Sequence, residues 1–448
     1  MFDPLLVPEL REMLLEQDGV AMREFCEVLH PAGVAENLEE LDDDDIWEVL
    51  THAPLRRQVE IFAFFPLERQ RRLVVGADHK RLAGLIEEMA PDDRADLLSE
   101  LEPAQVESLL PLVAQAERAE IRRLLSYPES SAGSLMTTDY ASLPEDVTVR
   151  EALNLLRLQA PDRETIYYVY IVGEQRVLRG FVSLRKLILA HPERRVGDLM
   201  DSDIIFARVT DDQELVAWRM AKYDFIAMPV VDEQDRLVGI ITHDDVLDVV
   251  QEEATEDAHR QAAIAPLEQS YIATPIPVIV WKRIVWLVVL FGTSCLTAWI
   301  LKRYEDVSRL YVWLSTFIPL VIASGGNAGS QSATLIIRTL SLNEAKVTQW
   351  PLIVGRELLV GLTLGAILAA IGFVPAYFLA ESNVHGALVV SATVATVVLL
   401  GALVGSMLPV IFKRMGMDPA LMSNPLIAAL CDVSGVVIFY TLVTLVLT

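Results

Sequence analysis

The sequence predicts a multidomain chain. An all-α superhelical N-terminal domain comes first, then an α/β pair of repeated units, then a polytopic α-helical membrane domain with five spans. Three observations carry this. Charge is split along the 448 residues: residues 1–275 hold 55 acids and 27 bases, whereas residues 276–448 hold 7 acids and 10 bases. Short anchor phrases in the middle recur 64 positions apart, as Leu135-Met136 and Leu199-Met200 do. Finally, the last part contains five stretches near the about 20 apolar residues that a ~30 Å hydrocarbon core requires.

The acidic front, net −28, repels phosphates and excludes nucleic acid as a partner. Its frequent Leu, Ile, Val and Ala exclude disorder. Cys26, Cys295 and Cys431 are too scattered for a disulfide framework or a Cys-x-x-Cys site, and the seven histidines form no ligand pair. The opening MFDPLLVPEL lacks the basic start and apolar core of a signal peptide, so the front is expected in the cytosol.

Residues 1–131 read as amphipathic helices. Ala53-Pro54-Leu55-Arg56 and Ala90-Pro91-Asp92-Asp93 each place a proline at a helix start, where its missing N–H costs nothing, followed by charge in the first turn. The run Asp42-Asp43-Asp44-Asp45 reads as a solvated helix start rather than a metal cluster.

Residues 132–256 carry the repeat. Leu135-Met136-Thr137-Thr138-Asp139 recurs as Leu199-Met200-Asp201-Ser202-Asp203, and Gly180-Phe181-Val182-Ser183 recurs as Gly239-Ile240-Ile241-Thr242. Between these anchors lie helical patterns over 149–158 and 212–221, and strands over 167–172, 177–182, 227–231 and 237–241. This β-α-β-β-α order in duplicate resembles a pair of cystathionine β-synthase (CBS) domains, about 132–196 and 197–256. Residues 257–275 are expected to form a connecting helix, opened by Glu253, Glu256 and Asp257 at i, i+3 and i+4 on one face.

The membrane domain, 276–448, has spans at about 284–301, 310–335, 358–380, 387–412 and 425–448. Lys282 and Arg283, then Arg338, Lys346 and Arg356, then Lys413 and Arg414 fit a cytosolic N-terminus by the positive-inside rule; the loop 302–309 runs against it. The polar run from Ser324 to Ser332 exposes backbone and amides that lipid cannot satisfy. It marks close helix packing, a hinge or a pore lining. Asp432 lies about eight residues into the last span, where a carboxylate costs about 2.5–3.5 kcal/mol; a cation path explains it best. Glu357, beside Arg356, reads as interfacial. In a two-fold dimer two Asp432 would face each other. That charge suits Mg²⁺ gripped through its retained waters, held loosely enough for a channel.

Gly325-Gly326-Asn327-Ala328-Gly329-Ser330-Gln331-Ser332, and Asp418-Pro419-Ala420-Leu421 through Asn424-Pro425 to Asp432 and Gly435, together with the domain order, resemble the MgtE-type magnesium channels. The resemblance implies a homodimer in the lipid bilayer of the bacterial plasma (inner) membrane, with Asp432 as the Mg²⁺ selectivity site. It also implies Mg²⁺ sensing by carboxylates at Glu60, Asp92, Asp96, Asp212, Asp224, Asp245, Asp248, Glu253, Glu256 and Asp257. Thr242 and Asp245 fill a nucleotide-binding Gly-x-x-[Ser/Thr]-x-x-Asp segment in the second repeat, but in the first Lys186 replaces the acid, which puts ATP regulation in doubt. A secondary transporter exchanging a divalent cation for H⁺ or Na⁺ remains the alternative. A non-conducting Mg²⁺ sensor is disfavoured by Asp432, and an enzyme by spans without His-x-x-x-His, paired aspartates or a Ser/Lys dyad.

Overall fold

In the computed structural model, which describes residues 6–447 except 78, 268–269, 273, 343 and 381–382, the chain divides into two units, residues 1–250 and 251–448. The first unit opens with α1 (Leu6–Glu16), α2 (Gly19–Val28), α3 (Pro31–Leu38), α4 (Asp43–Thr51), α5 (Leu55–Phe62), α6 (Leu67–Gly76), α7 (His79–Glu88), α8 (Pro91–Ser99), α9 (Pro103–Leu109) and α10 (Gln115–Leu124). Alternate helices stack, α2 on α4, α3 on α5 and α5 on α7. One continuous core, from Leu10 and Met22 to Leu109 and Ile121, lies under them. Pro91 starts α8, and Asp92 and Asp93 fill its first turn, where the helix dipole favours negative charge. Arg94 on the same helix is buried and bonds Glu117 at 2.8 Å and Glu120 at 3.4 Å on α10. The aspartate run likewise forms a helix start, with Asp42 at the N-cap position of α4 and Asp43, Asp44 and Asp45 in its first turn.

After the short α11 (Ala132–Leu135) come two copies of one three-stranded sheet. The first has β1 (Tyr140–Pro144) parallel to β2 (Thr165–Val172), itself antiparallel to β3 (Leu178–Ser183). The second repeats that order with β4 (Ala207–Arg208), β5 (Ala227–Val231) and β6 (Leu237–Thr242). The helices α12 (Val149–Gln159) and α13 (Leu184–Leu189) belong to the first copy, α14 (Gln213–Tyr223) and α15 (His243–Gln261) to the second.

The repeated anchors pair crosswise. Thr137 bridges Ile240 on β6, and Asp201 bridges Phe181 on β3. A Cβ on Gly180 would meet the Asp201 carbonyl at 2.8 Å, and one on Gly239 would meet the Thr137 carbonyl at 2.8 Å. Each repeated glycine therefore admits the opposite repeat's anchor.

The helix expected over 257–275 is a correction. Its residues as far as Gln261 are the tail of α15, and the described residues from there to Pro275 are not helical. The cause is a left-handed stop. Ala263 has φ 60°, its N–H bonds the Arg260 carbonyl, and the Ile264 N–H bonds the His259 carbonyl at 2.9 Å. This is a Schellman closure with alanine where glycine is usual.

The second unit holds five long helices among its described residues: α16 (Ile276–Arg303), α18 (Leu314–Ser341), α19 (Trp350–Leu379), α20 (Val384–Arg414) and α21 (Asn424–Leu447), with the short α17 (Glu305–Leu310) between the first two. Four are long and apolar enough to cross a membrane; α18, diluted by its Ser-Gly-Asn-Gln run, is not among them. Its glycines explain the run in part. A Cβ on Gly325 would strike Val397, one on Gly401 the Gly325 carbonyl, and one on Gly405 the Gly329 carbonyl. Two Gly-x-x-x-Gly faces thus bring α18 and α20 into backbone contact.

Candidate functional site

Two clusters of acids stand out, one in each unit. In the first unit the amino-terminal turns of α8 and α15 bring Asp92 and Asp93 to Asp244, Asp245 and Asp248, with Glu164 at the start of β2. Burial, then Asp245, Asp93 and Glu164, hold the Asp92 carboxyl well above the usual carboxylate range. Burial with Asp245, Asp244 and Asp248 pushes Asp93 up to about 6, and burial with Asp244, Asp245 and Asp93 does the same to Glu164. Burial also raises Asp245, although Thr242 donates to it from its hydroxyl and backbone N–H.

One oxygen of Asp92, Oδ1, is buried without a hydrogen-bond partner. Such an arrangement is short of positive charge. Among the described residues no three acid, His or Cys side chains converge tightly enough to chelate a metal directly.

The expected sensing residues are thus only partly brought together. Asp92 and Asp245 lie within electrostatic reach of each other, as do Asp245 and Asp248; Asp96 lies exposed one turn along α8. Glu60 pairs with Arg57 at 2.9 Å and Arg56 at 3.7 Å on its own helix. Asp212 caps α14 by accepting the Glu214 N–H at 2.8 Å, and Asp224 ends that helix in the left-handed region. Asp93, Asp244 and Glu164 were missed. The first two adjoin residues already named, whereas Glu164 reaches the cluster through the β1–β2 pairing, which no local spacing encodes.

In the second unit Glu253, Glu256 and Asp257 lie on the tail of α15, all half-buried. Glu256 pairs with Arg260, which also grips Asp418 at the start of the loop leading to α21. Asp257 accepts from Ser341 at 3.3 Å, and burial raises its carboxyl above the ordinary range.

Asp432 sits half-buried on α21, with no ion pair or hydrogen bond to its side chain among the described residues. The polar face of α18, with Ser324, Asn327 and Gln331, borders an open cavity of about 330 Å³ lined also by Leu364 and Leu368 of α19. Glu357 corrects the interfacial reading. It is buried and accepts from the Ser332 hydroxyl at 2.6 Å. Adjacent helical residues diverge by about 100°, so Arg356 faces out while Glu357 faces α18.

The nucleotide candidates serve as helix caps. Thr242 and Asp245 bond each other at the start of α15, and Ser183 accepts the Lys186 N–H at 3.2 Å at the start of α13.

Residues 29–130 match the MgtE intracellular N domain, residues 132–193 and 196–252 match CBS domains, and residues 318–442 match the MgtE divalent cation transporter domain. The chain is 40% identical to the magnesium transporter MgtE of Thermus thermophilus over 99% of its length and 98% of that protein's. The chain belongs to the MgtE family. The MgtE of Bacillus subtilis is 32% identical over 97% of the chain and 96% of its own length. A crystal structure of the cytosolic domain of the Mg²⁺ channel MgtE in complex with ATP covers 54% of this chain and 99% of its own, at 42% identity and a TM-score of 0.52. The soluble part of a magnesium transporter gives 34% identity and a TM-score of 0.53 over 55% of this chain and 98% of its own. MgtE is a transporter family, so this MgtE chain is not an enzyme.

Proposed function

We propose that this chain is a Mg²⁺-selective channel for magnesium uptake, gated shut by cytosolic Mg²⁺. In this reading it is a homodimer in the bacterial plasma (inner) membrane, with five spans per subunit and a cytoplasmic N-terminus. Its domains divide near residues 131 and 256. The observation that carries the pore assignment is Asp432: a carboxylate on an apolar helix, half-buried, with no protein partner among the described residues. Two such carboxylates across a dimer axis offer the charge for one divalent ion, held through water rather than stripped of it. The MgtE relatives named above are magnesium transporters, and the solved cytosolic domain comes from a protein named an Mg²⁺ channel, which favours conduction over coupled exchange.

For the gate, the amino-terminal turns of α8 and α15 place like charges within electrostatic reach of one another. A divalent cation among Asp92, Asp93, Asp244, Asp245, Asp248 and Glu164 removes that repulsion and favours the packed arrangement. The ion acts only through its higher affinity for that state. Asp257 and Glu256, further along α15, belong to the same helix, so its position is the variable we assign to gating. This mechanism does not require ATP: Lys186 stands where the first repeat's acid would be, and the Thr242 hydroxyl bonds Asp245.

Mg²⁺ flux into proteoliposomes tests the pore. Asp432→Asn keeps shape and removes charge; it is expected to abolish selective Mg²⁺ flux while the dimer still elutes intact. Wild-type flux and selectivity in that variant would refute the assignment.

A further inference from the structure

A cavity of about 490 Å³ opens where α10, the approach to β1, and the tips of the β2–β3 and β5–β6 hairpins meet. None of the carboxylates assigned to ion sensing lines it. Three arginines do, Arg123, Arg176 and Arg236, against two acids, Glu120 and Asp232. Both acids are already engaged. Asp232 accepts from Arg236 at 2.7 Å, and Glu120 accepts from the buried Arg94 at 3.4 Å and from the Thr138 hydroxyl.

Arg176 has no carboxylate partner among the described residues. Its guanidinium lies 5.4 Å over the Tyr140 ring and donates to the Tyr140 oxygen, which in turn donates to the Leu237 carbonyl at 2.8 Å. The hairpin tip fixes its origin: Gln175 and Arg176 both adopt left-handed backbone, φ 56° and 63°, the conformation of a two-residue turn that follows strand twist. A guanidinium has five N–H donors, and stacking on tyrosine holds this one in place with one donor used. In a front of net charge −28, such a cationic recess is an exception.

We propose that this cavity binds a small phosphate ester. The phosphate sits on Arg176, whose planar fork of donors matches phosphate oxygens, while Arg236, paired with Asp232, and Arg123, 4.0 Å from Glu120, add positive charge at its rim. The volume exceeds what a bare phosphate fills and lies in the range of small-molecule sites. Tyr127, Leu237 and Val238 provide the surface for the organic part. Because the walls come from α10 and from both repeats, a bound ester ties the helical domain to the repeat pair.

The test is calorimetric titration of the full-length protein in detergent, in Mg²⁺-free buffer, with AMP and with ribose 5-phosphate. Saturable binding that weakens at least about tenfold in Arg176→Gln, and is unchanged in Thr242→Ala, supports the site. Equal affinity for the two probes assigns it to sugar phosphates, and preference for AMP assigns it to nucleotides. Arg176 is exposed, so the variant's melting temperature is expected to match the wild type. Absence of saturable binding, or binding that survives Arg176→Gln but is lost in Thr242→Ala, overturns the proposal.

Discussion

Glu357 and Asp432 are both carboxylates on long apolar helices, yet their surroundings set opposite demands. Glu357 needs only an acceptor for the Ser332 hydroxyl, and a glutamine oxygen supplies one. Glu357→Gln should therefore keep substantial Mg²⁺ flux. Glu357→Ala leaves a buried hydroxyl unpaired, at about 1–3 kcal/mol, and should lower the melting temperature in detergent along with flux. Asp432→Asn reverses the pattern, with stability kept and flux lost. Equal effects of Gln at 357 and Asn at 432 would mean that charge, not acceptance, matters at both. Asp432 stands out in the sequence because an acid eight residues into a span has no ordinary explanation. Glu357 does not, because its neighbour Arg356 suggests an interface. Which of two adjacent residues faces inward depends on helix rotation, and packing on α18 sets that.

The α18–α20 contact is made of glycine faces, so adding side chains there acts on helix spacing. Gly405→Val would press a branched side chain on the Gly329 carbonyl. Such overpacking costs about 1–3 kcal/mol and should appear as reduced yield of folded protein and a lower melting temperature. The contact between α8 and α15 should instead respond to protons. Folded-state values about 6 for Asp93 and Glu164 lie above the ordinary 3.8 and 4.5. Their protonated forms therefore favour the packed arrangement, which is fully stabilised below about pH 4 and loses that contribution as pH rises through 6. Asp93 and Glu164 keep much of their surface in water, which screens these interactions, so without Mg²⁺ the melting temperature at pH 5.5 should exceed that at pH 7.5 only modestly, by about 1–3 °C. Saturating Mg²⁺ should erase the difference. A larger gap with Mg²⁺ than without would contradict cation binding at this cluster. At this scale the repeat's helices and strands were readable from periodicity. The end of α15 was not: Ala263 carries no glycine signal for the left-handed turn it makes.

Across the whole chain, the charge division between front and back was plain in composition, and it separates two kinds of work. Deleting residues 1–131 removes Asp92 and Asp93, one side of the carboxylate cluster. On the proposed channel reading, the truncated protein should still conduct but close less completely as cytosolic Mg²⁺ rises. Patch recording across a millimolar Mg²⁺ series reads this directly, and an unchanged closing midpoint would remove the N-terminal domain from the sensor. What composition could not show was which acids share a site. Ten positions were expected to sense the ion; Asp92 and Asp245 fall in one electrostatic cluster, whereas Glu60, Asp212 and Asp224 make a local ion pair, a helix cap and a helix end. Surface acids and sensing acids have the same chemistry; only their proximity in the fold separates them.

The crosswise bridges, Thr137 to Ile240 and Asp201 to Phe181, mean that neither half of the repeat pair is finished by its own chain segment. Residues 132–193 produced alone would present β3 without its Asp201 partner and Thr137 without its Ile240. Two copies of that fragment could supply each other's missing edges by the same exchange. The pair is in effect a dimer whose subunits have been spliced into one chain. Splicing fixes their stoichiometry and frees the halves to diverge, so that one keeps an aspartate at 245 where the other carries Lys186.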